Sequence, residues 1–218
     1  MPSCYSLDGT KAFIHIPKTG GTTVEQLFNM IPDLELDFLT YYSTDARLKC
    51  YIEKFDKRVD FCLQHLPSIF VRDLNPEIFS SFFKFALVRN PYDRAISEFC
   101  WQNKDIYEQE ETDRYYFIEN FKAWVNELPT KMFIDHKLPQ YYFLYDNKDN
   151  LLVDKIYKYE DMQNALKELS AKFNFEIKDI CLNKSTLSVD KNILLTPKVK
   201  EKIYSVYAKD FELFGYEK

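Results

Sequence analysis

Apolar residues in this chain gather into short unbroken runs, each followed by a polar turn and then by apolar positions at helical spacing. The run Ala12 to Ile16 suits an interior strand; Pro17 ends it, and Thr22 or Thr23 is placed to cap a helix continuing through Leu27 and Phe28. The pattern returns at Lys84 to Val88, a strand that ends at Arg89, with Asn90-Pro91 as a stop and Tyr92 to Phe99 in helical register. Val59 to His65 reads as a strand ending in histidine. Arg114 to Leu128 carries Tyr116, Phe117, Phe121, Trp124 and Val125 near helical spacing before Pro129. Leu151 to Tyr159 predicts a strand, Asp161 to Phe173 a helix with Met162, Leu166 and Leu169 on one face, and Thr196-Pro197 to Phe211 a final helix. Strands alternating with helices predict an α/β fold: one domain over residues 1–218, with a central, mostly parallel sheet flanked by helices and its site at the strand ends.

Length and composition fit this picture. A chain of 218 residues suits a domain that buries roughly 70% of its unfolded surface. Met1 to Thr10 has no apolar signal core, and the richest apolar stretch, Ile78 to Val88, is broken by Ser80, Ser81 and Lys84, so it reads as core strand rather than membrane span. The five cysteines (4, 50, 62, 100 and 181) are unclustered and contain no CxxC, which argues against a zinc site or a disulfide framework and for a reduced, cytoplasmic protein. A net charge of -5 leaves no global basic field for nucleic acid.

The chemistry begins at Pro17-Lys18-Thr19-Gly20-Gly21-Thr22-Thr23, between the first strand and its helix. Two of the chain's four glycines sit here and permit close backbone approach to a ligand. Amides at the helix start, the helix dipole and the Lys18 ammonium together form an anion cradle. A nucleotide-hydrolysing Walker A loop needs G-x-x-x-x-G-K-[ST]; here Lys18 precedes the glycines and no GK[ST] occurs in the chain. At the second strand, Arg89 stands where open α/β sheets bind ligands; on the following helix Arg94 and Ser97, three apart, share one face, and Lys18, Arg89, Arg94 and Lys184 are expected to make the site locally positive. A guanidinium and a hydroxyl suit a phosphate monoester, since arginine presents a fork of donors to its oxygens.

PKTGGTT resembles the 5′-phosphosulfate loop of sulfotransferases that use 3′-phosphoadenosine 5′-phosphosulfate (PAPS), and RNPYDRAIS resembles their 3′-phosphate motif, with Arg89 and Ser97 at its two ligand positions. The likeness is greatest to bacterial and Golgi-type carbohydrate sulfotransferases of the 2-O-sulfotransferase branch. Asp135 to Gln140 resembles the family's H-x-x-P-Q segment and Tyr157 to Met162 its R-Y-E-D-L step; Asn183-Lys184-Ser185 resembles a late loop that closes over the nucleotide, and Tyr207 to Tyr216 the terminal helix. The resemblance implies a single P-loop-like domain that transfers a sulfuryl group in line from PAPS to an acceptor hydroxyl, on a carbohydrate, releasing 3′-phosphoadenosine 5′-phosphate (PAP) without a metal. It assigns the 5′-phosphosulfate to Lys18, Thr19, Gly20, Gly21, Thr22 and Thr23, the 3′-phosphate to Arg89 and Ser97, and the closing loop to Lys184 and Ser185. Lys18 also stabilises the leaving oxygen, and His65 is the base, with His136 and Glu25 in reserve. His15, inside the first strand, reads as a packed, hydrogen-bonded residue. The Tyr141 to Tyr145 cluster suits core packing or sugar stacking.

Two other readings stay open. Leu151 to Asp154 resembles a Walker B strand and would suit a kinase-like phosphotransferase; a nucleotide-binding module without catalysis is the other.

Overall fold

The computed structural model describes residues 10–28, 63–74, 76–104, 114–128, 135–177 and 190–218. Lys184, Ser185 and the Val59 to Cys62 part of the expected strand lie outside them. Three strands, β1 (Lys11–Ile14), β2 (Phe83–Val88) and β3 (Lys155–Lys158), form a sheet in that order, parallel throughout, with Ile14 opposite Ala86 and Val88 opposite Lys158. The helices of the described residues are α1 (Gly21–Leu27), α2 (Ser68–Leu74), α3 (Pro76–Ser81), α4 (Pro91–Gln102), α5 (Arg114–Asn126), α6 (Tyr141–Leu144), α7 (Met162–Phe173), α8 (Lys191–Leu194) and α9 (Pro197–Phe214). The α/β class expected from the alternation of runs is the class observed. No described helix is long and apolar enough to cross a membrane.

The runs are unbroken because the sheet is covered on both faces, so alternate residues enter different cores. Ala12, Ile14, Ala86 and Val88 pack with Phe70, Val71, Phe143 and Leu144 on one side. Phe13, Phe85, Leu87 and Tyr157 pack with Val24, Phe28, Ala165 and Leu169 on the other. Phe13 and Phe85 are fully buried, which favours the fold by roughly 2 to 3 kcal/mol each. A third core joins α4, α5 and α9 through Phe99, Phe117, Phe121, Ile203 and Phe211.

Several boundaries differ from expectation for local reasons. The first helix starts at Gly21, and Gly20, in left-handed conformation at φ 86°, occupies the N-cap without any side-chain cap. Thr22 and Thr23 therefore lie within the first turn and do not cap it. His65 ends a 3-10 turn, Leu63–His65, rather than a strand. The last strand begins only at Lys155, because Leu151 forms a bridge with Tyr145 and Asp154 turns to Lys84: its Oδ2 accepts from the Lys84 backbone N–H at 2.7 Å and lies 2.9 Å from Nζ. That ion pair sits at the start of β3, the edge of the sheet opposite the Lys18 loop, so Asp154 cannot serve as a Walker B carboxylate. The stops are as expected at Asn90, whose side chain accepts from Tyr92 N–H, and at Thr196, which accepts from Val199 N–H ahead of the last helix.

One buried carboxylate links the last helix to the sheet edge. Asp210 of α9 accepts from the backbone N–H groups of Gln140 at 2.8 Å and Tyr141 at 2.9 Å. Burial pushes its carboxyl from 3.8 up to about 6, against those hydrogen bonds and the Arg94 charge. The folded chain thus holds this proton more tightly than the unfolded one between about pH 4 and 6, and stability falls as pH rises through that window. The ionised form remains a cost of about 3 kcal/mol above it. In urea unfolding, the advantage of the wild type over Asp210→Asn should shrink by up to about 3 kcal/mol between pH 4 and pH 7; a difference that does not change with pH would contradict this account.

Candidate active site

Parallel pairing brings the C-terminal ends of all three strands to one edge, and there the segments after β1, β2 and β3 touch. In the first, Lys18 adopts φ 67° and Gly20 φ 86°. A left-handed lysine costs of order 1 kcal/mol, so packing must hold it. A Cβ on Gly20 would come within 2.5 Å of Met162 Cε and 2.9 Å of the Tyr159 ring; one on Gly21 would meet the His15 ring at 2.2 Å. The two glycines thus have different reasons: Gly20 for its conformation and the β3 segment, Gly21 for the imidazole beneath it. Thr19 is buried, and its hydroxyl donates to Ile16 O at 2.8 Å, closing the loop on itself.

Arg94 does not join a phosphate site. It is 3% exposed and donates to three carbonyls: Nε to Pro17 O at 3.0 Å, Nη1 to Leu138 O at 2.9 Å and Nη2 to His136 O at 3.0 Å. Three of its five N–H groups join the Lys18 loop to the 136–138 segment. The expected contribution of Arg94 to the positive field over the ligand is replaced by this anchoring role.

Arg89 is held differently. Gln140 grips its backbone on both sides, accepting from Arg89 N–H at 2.8 Å and donating to Arg89 O at 2.9 Å. The guanidinium lies on the Tyr159 ring, 4.3 Å from its centroid, and Nη1 donates to Lys18 O at 3.2 Å. Its Nε is buried and has no hydrogen-bond partner among the described residues. Such an orphan donor is uncommon in a folded chain. Beside it, Asn90 N–H donates to Glu160 Oε1 at 2.7 Å, and Glu160 Oε2 accepts from Tyr216 O–H at 2.9 Å. Ser97 stands half-buried on α4.

The three histidines of the chain meet at this edge. The His15 and His65 rings are in edge contact at 4.8 Å, and His65 and His136 at 4.9 Å. Both outer rings bond a buried carboxylate: His15 Nδ1 to Glu25 Oε1 at 2.7 Å and His136 Nδ1 to Glu98 Oε2 at 2.8 Å. Gln64 Nε2 steadies the first pair by donating to Glu25 Oε2 at 2.8 Å. His136 stacks on Trp101 at 4.7 Å, and Lys18 Nζ lies 5.1 Å from the same indole ring, which is 54% exposed. Among the described residues no group of three or more such side chains is placed to hold a metal ion.

A model described as "Sulfotransferase family" matches residues 11–217. The chain belongs to the sulfotransferase family. No curated protein and no solved structure matches it. The match takes in β1 and its loop, β2 and Arg89, the histidine cluster and the last helix.

The electrostatics of the sulfotransferase loop centre on Lys18. Burial lowers the ammonium's pKa below its ordinary value, Glu98 opposes that, and the Arg89 charge adds to it. Cys100 nearby is pushed up to about 11 by burial, against the Lys18 and Arg89 charges, and is a neutral thiol at physiological pH. Of the residues expected from sequence, Lys18, Thr19, Gly20, Gly21, Thr22, Thr23 and Arg89 come together at one strand edge, with His65 in the cluster beside Gly21 through His15. Glu98, Trp101, Gln140 and Asp210 were not foreseen as parts of this edge. Glu98 and Trp101 follow Ser97 by one and four residues and share its helix, a hint legible in the sequence; Gln140 and Asp210 are joined only by the fold.

Gly21→Ala forces its methyl group into the His15 ring. We expect a loss of about 1 to 3 kcal/mol in denaturant unfolding, and the same change made in a His15→Ala background should cost much less, because the ring it strikes is gone. Additive losses in the double variant would show that the two sites do not collide.

Proposed function

We propose that this sulfotransferase moves a sulfuryl group from PAPS to an acceptor hydroxyl on a carbohydrate, in the manner of the 2-O-sulfotransferase branch, and works in the cytoplasm. The observation that carries the donor assignment is the pair of anion-binding features at one strand edge. One is the left-handed Lys18–Gly20 loop. The other is Arg89, whose buried Nε has no partner among the described residues while its other groups are fixed by Tyr159, Gln140 and Lys18. An anion accepting from that nitrogen would satisfy it, and a charge-assisted bond of this kind is worth about 1.5 to 3 kcal/mol. Phosphate groups at both ends of one ligand distinguish PAPS from ATP. The five cysteines without a CxxC fit a reducing compartment.

In this reading Thr19 to Thr23 hold the 5′-phosphosulfate, Arg89 and Ser97 the 3′-phosphate, and Lys184 and Ser185 close over the nucleotide. Lys18 meets the negative charge that develops on the bridging oxygen, preorganised by a backbone conformation that costs energy to maintain. His65 takes the acceptor's proton. Its charge then forms beside His15 and His136, each tied to a buried glutamate, which favours the imidazolium over one in an apolar pocket. A Walker-type phosphotransferase is disfavoured by the position of Asp154 at the far edge.

Isothermal titration should show PAP bound in preference to ADP, and Arg89→Ala should weaken PAP by roughly 10- to 100-fold. Lys18→Ala should lower kcat about 100- to 1,000-fold, with PAP affinity changed far less, when labelled PAPS is offered with a panel of neutral and lightly charged oligosaccharides. Preference for ADP would refute the donor; transfer only to phenolic or lipid hydroxyls would refute the carbohydrate acceptor.

A further inference from the structure

Glu98 is 2% exposed and both of its oxygens are held. Oε2 lies 2.8 Å from His136 Nδ1, and Oε1 accepts from Gln102 Nε2 at 2.7 Å, while Gln102 in turn accepts from Trp124 Nε1–H at 2.8 Å. A buried carboxylate is costly unless its hydrogen bonds and counter-charges compensate, and of the two side chains bonded to this one His136 belongs to the transfer edge. Three residues further along the same helix, Trp101 stacks on His136 and lies 5.1 Å from Lys18 Nζ.

We propose that Glu98 is a positioning residue for sulfuryl transfer: its bond to Nδ1 fixes His136 in the tautomer whose basic nitrogen is Nε2. The proposal rests on the reading of this edge as the transfer site. An ionised carboxylate only accepts hydrogen bonds, so the hydrogen on the line between them belongs to Nδ1 and the ring's lone pair to Nε2. His136 has 13% of its side chain exposed against 6% for His15, so tautomer control by Glu98 acts on the more accessible of the two carboxylate-bound rings. The charged and titratable groups that act on the Lys18 ammonium are Glu98 and Cys100 of α4, which raise its pKa, and Arg89 at the end of β2, which lowers it. Among these Glu98 is the one carboxylate; burial and Arg89 work against the ammonium and Glu98 works for it.

Nitrogen-15 correlation spectra of the wild type with PAP bound should show His136 protonated on Nδ1, assigned by the loss of its signals in His136→Gln. Glu98→Gln keeps the side chain's shape and removes its charge. It should lower kcat on the oligosaccharide panel about 10- to 100-fold, as loss of an orienting partner does, with PAP affinity within about 3-fold. The alkaline limb of the pH–rate profile should move to lower pH, because Lys18 loses the charge that holds up its pKa. Glu98→Asp keeps the charge but withdraws it from Nδ1, and should lose kcat without moving the alkaline limb; it also serves if Glu98→Gln does not fold. An Nε2-protonated His136 in the wild type, or an unchanged kcat and alkaline limb in a folded Glu98→Gln protein, would overturn the role of Glu98 while leaving the transfer reading intact. A wild type that neither binds PAP nor turns over PAPS overturns the transfer reading itself, and the role of Glu98 in transfer with it.

Discussion

The buried guanidinium of Arg94 is the constraint on which this edge depends. Its three hydrogen bonds reach Pro17, Leu138 and His136, so one helix residue fixes the backbone of the lysine loop and of the third histidine at once. A carbonyl can accept without bringing a charge, and three of them, one on each guanidinium nitrogen, hold the group in a fixed plane that a lysine could not match. Around that fixture, Gln140 does for Arg89 what Arg94 does for the loop, and Asp210 holds Gln140 in turn. The Lys18 loop is thus held from α4 by Arg94, and Arg89 from α9 by Asp210 acting through Gln140.

This layering explains why much of the edge consists of residues that look conventional in sequence. The runs around Phe13 and Phe85, the proline stops and the unusual order of lysine before glycines specify strands, turns and helix starts by local rules, and those rules hold in the fold. Lys18 and Arg89 were legible because a strand end in a parallel sheet is a position with a meaning. Arg94 was misjudged because its sequence neighbourhood is the same whether its donors face a ligand or carbonyls far along the chain; nothing within a helical turn distinguishes the two. His65 was placed on a strand by the apolar residues before it, yet a 3-10 turn carries it, since short apolar runs do not separate the two backbones. Glu98 became visible only when a histidine distant in sequence arrived beside it.

The imidazole cluster also changes how the glycine pair is understood. In isolation Gly20-Gly21 reads as flexibility for a ligand. In the fold, Gly21 has the His15 ring where a side chain would begin, and Gly20 has Tyr159 and Met162. The loop is therefore a packed object whose shape is set from below, consistent with a lysine kept in a left-handed conformation. Preorganisation of this kind is what a charge-stabilising residue requires, because a group that must rearrange during the reaction gives back much of its effect.

The parallel sheet has a consequence for the order in which the molecule assembles. Lys11 pairs with Phe83, and Phe85 with Lys155, so each ladder closes a loop of about seventy residues. Such closures raise contact order and slow folding. During synthesis the first strand waits for the second, and the second for the third, before the edge where their ends meet exists at all. A chain stopped before Lys155 lacks the Tyr159 platform under Arg89, and one stopped before Asp210 lacks the carboxylate that holds Gln140. The edge where Lys18, Arg89 and Tyr159 meet is therefore a late product of folding, complete only once the last helix is in place.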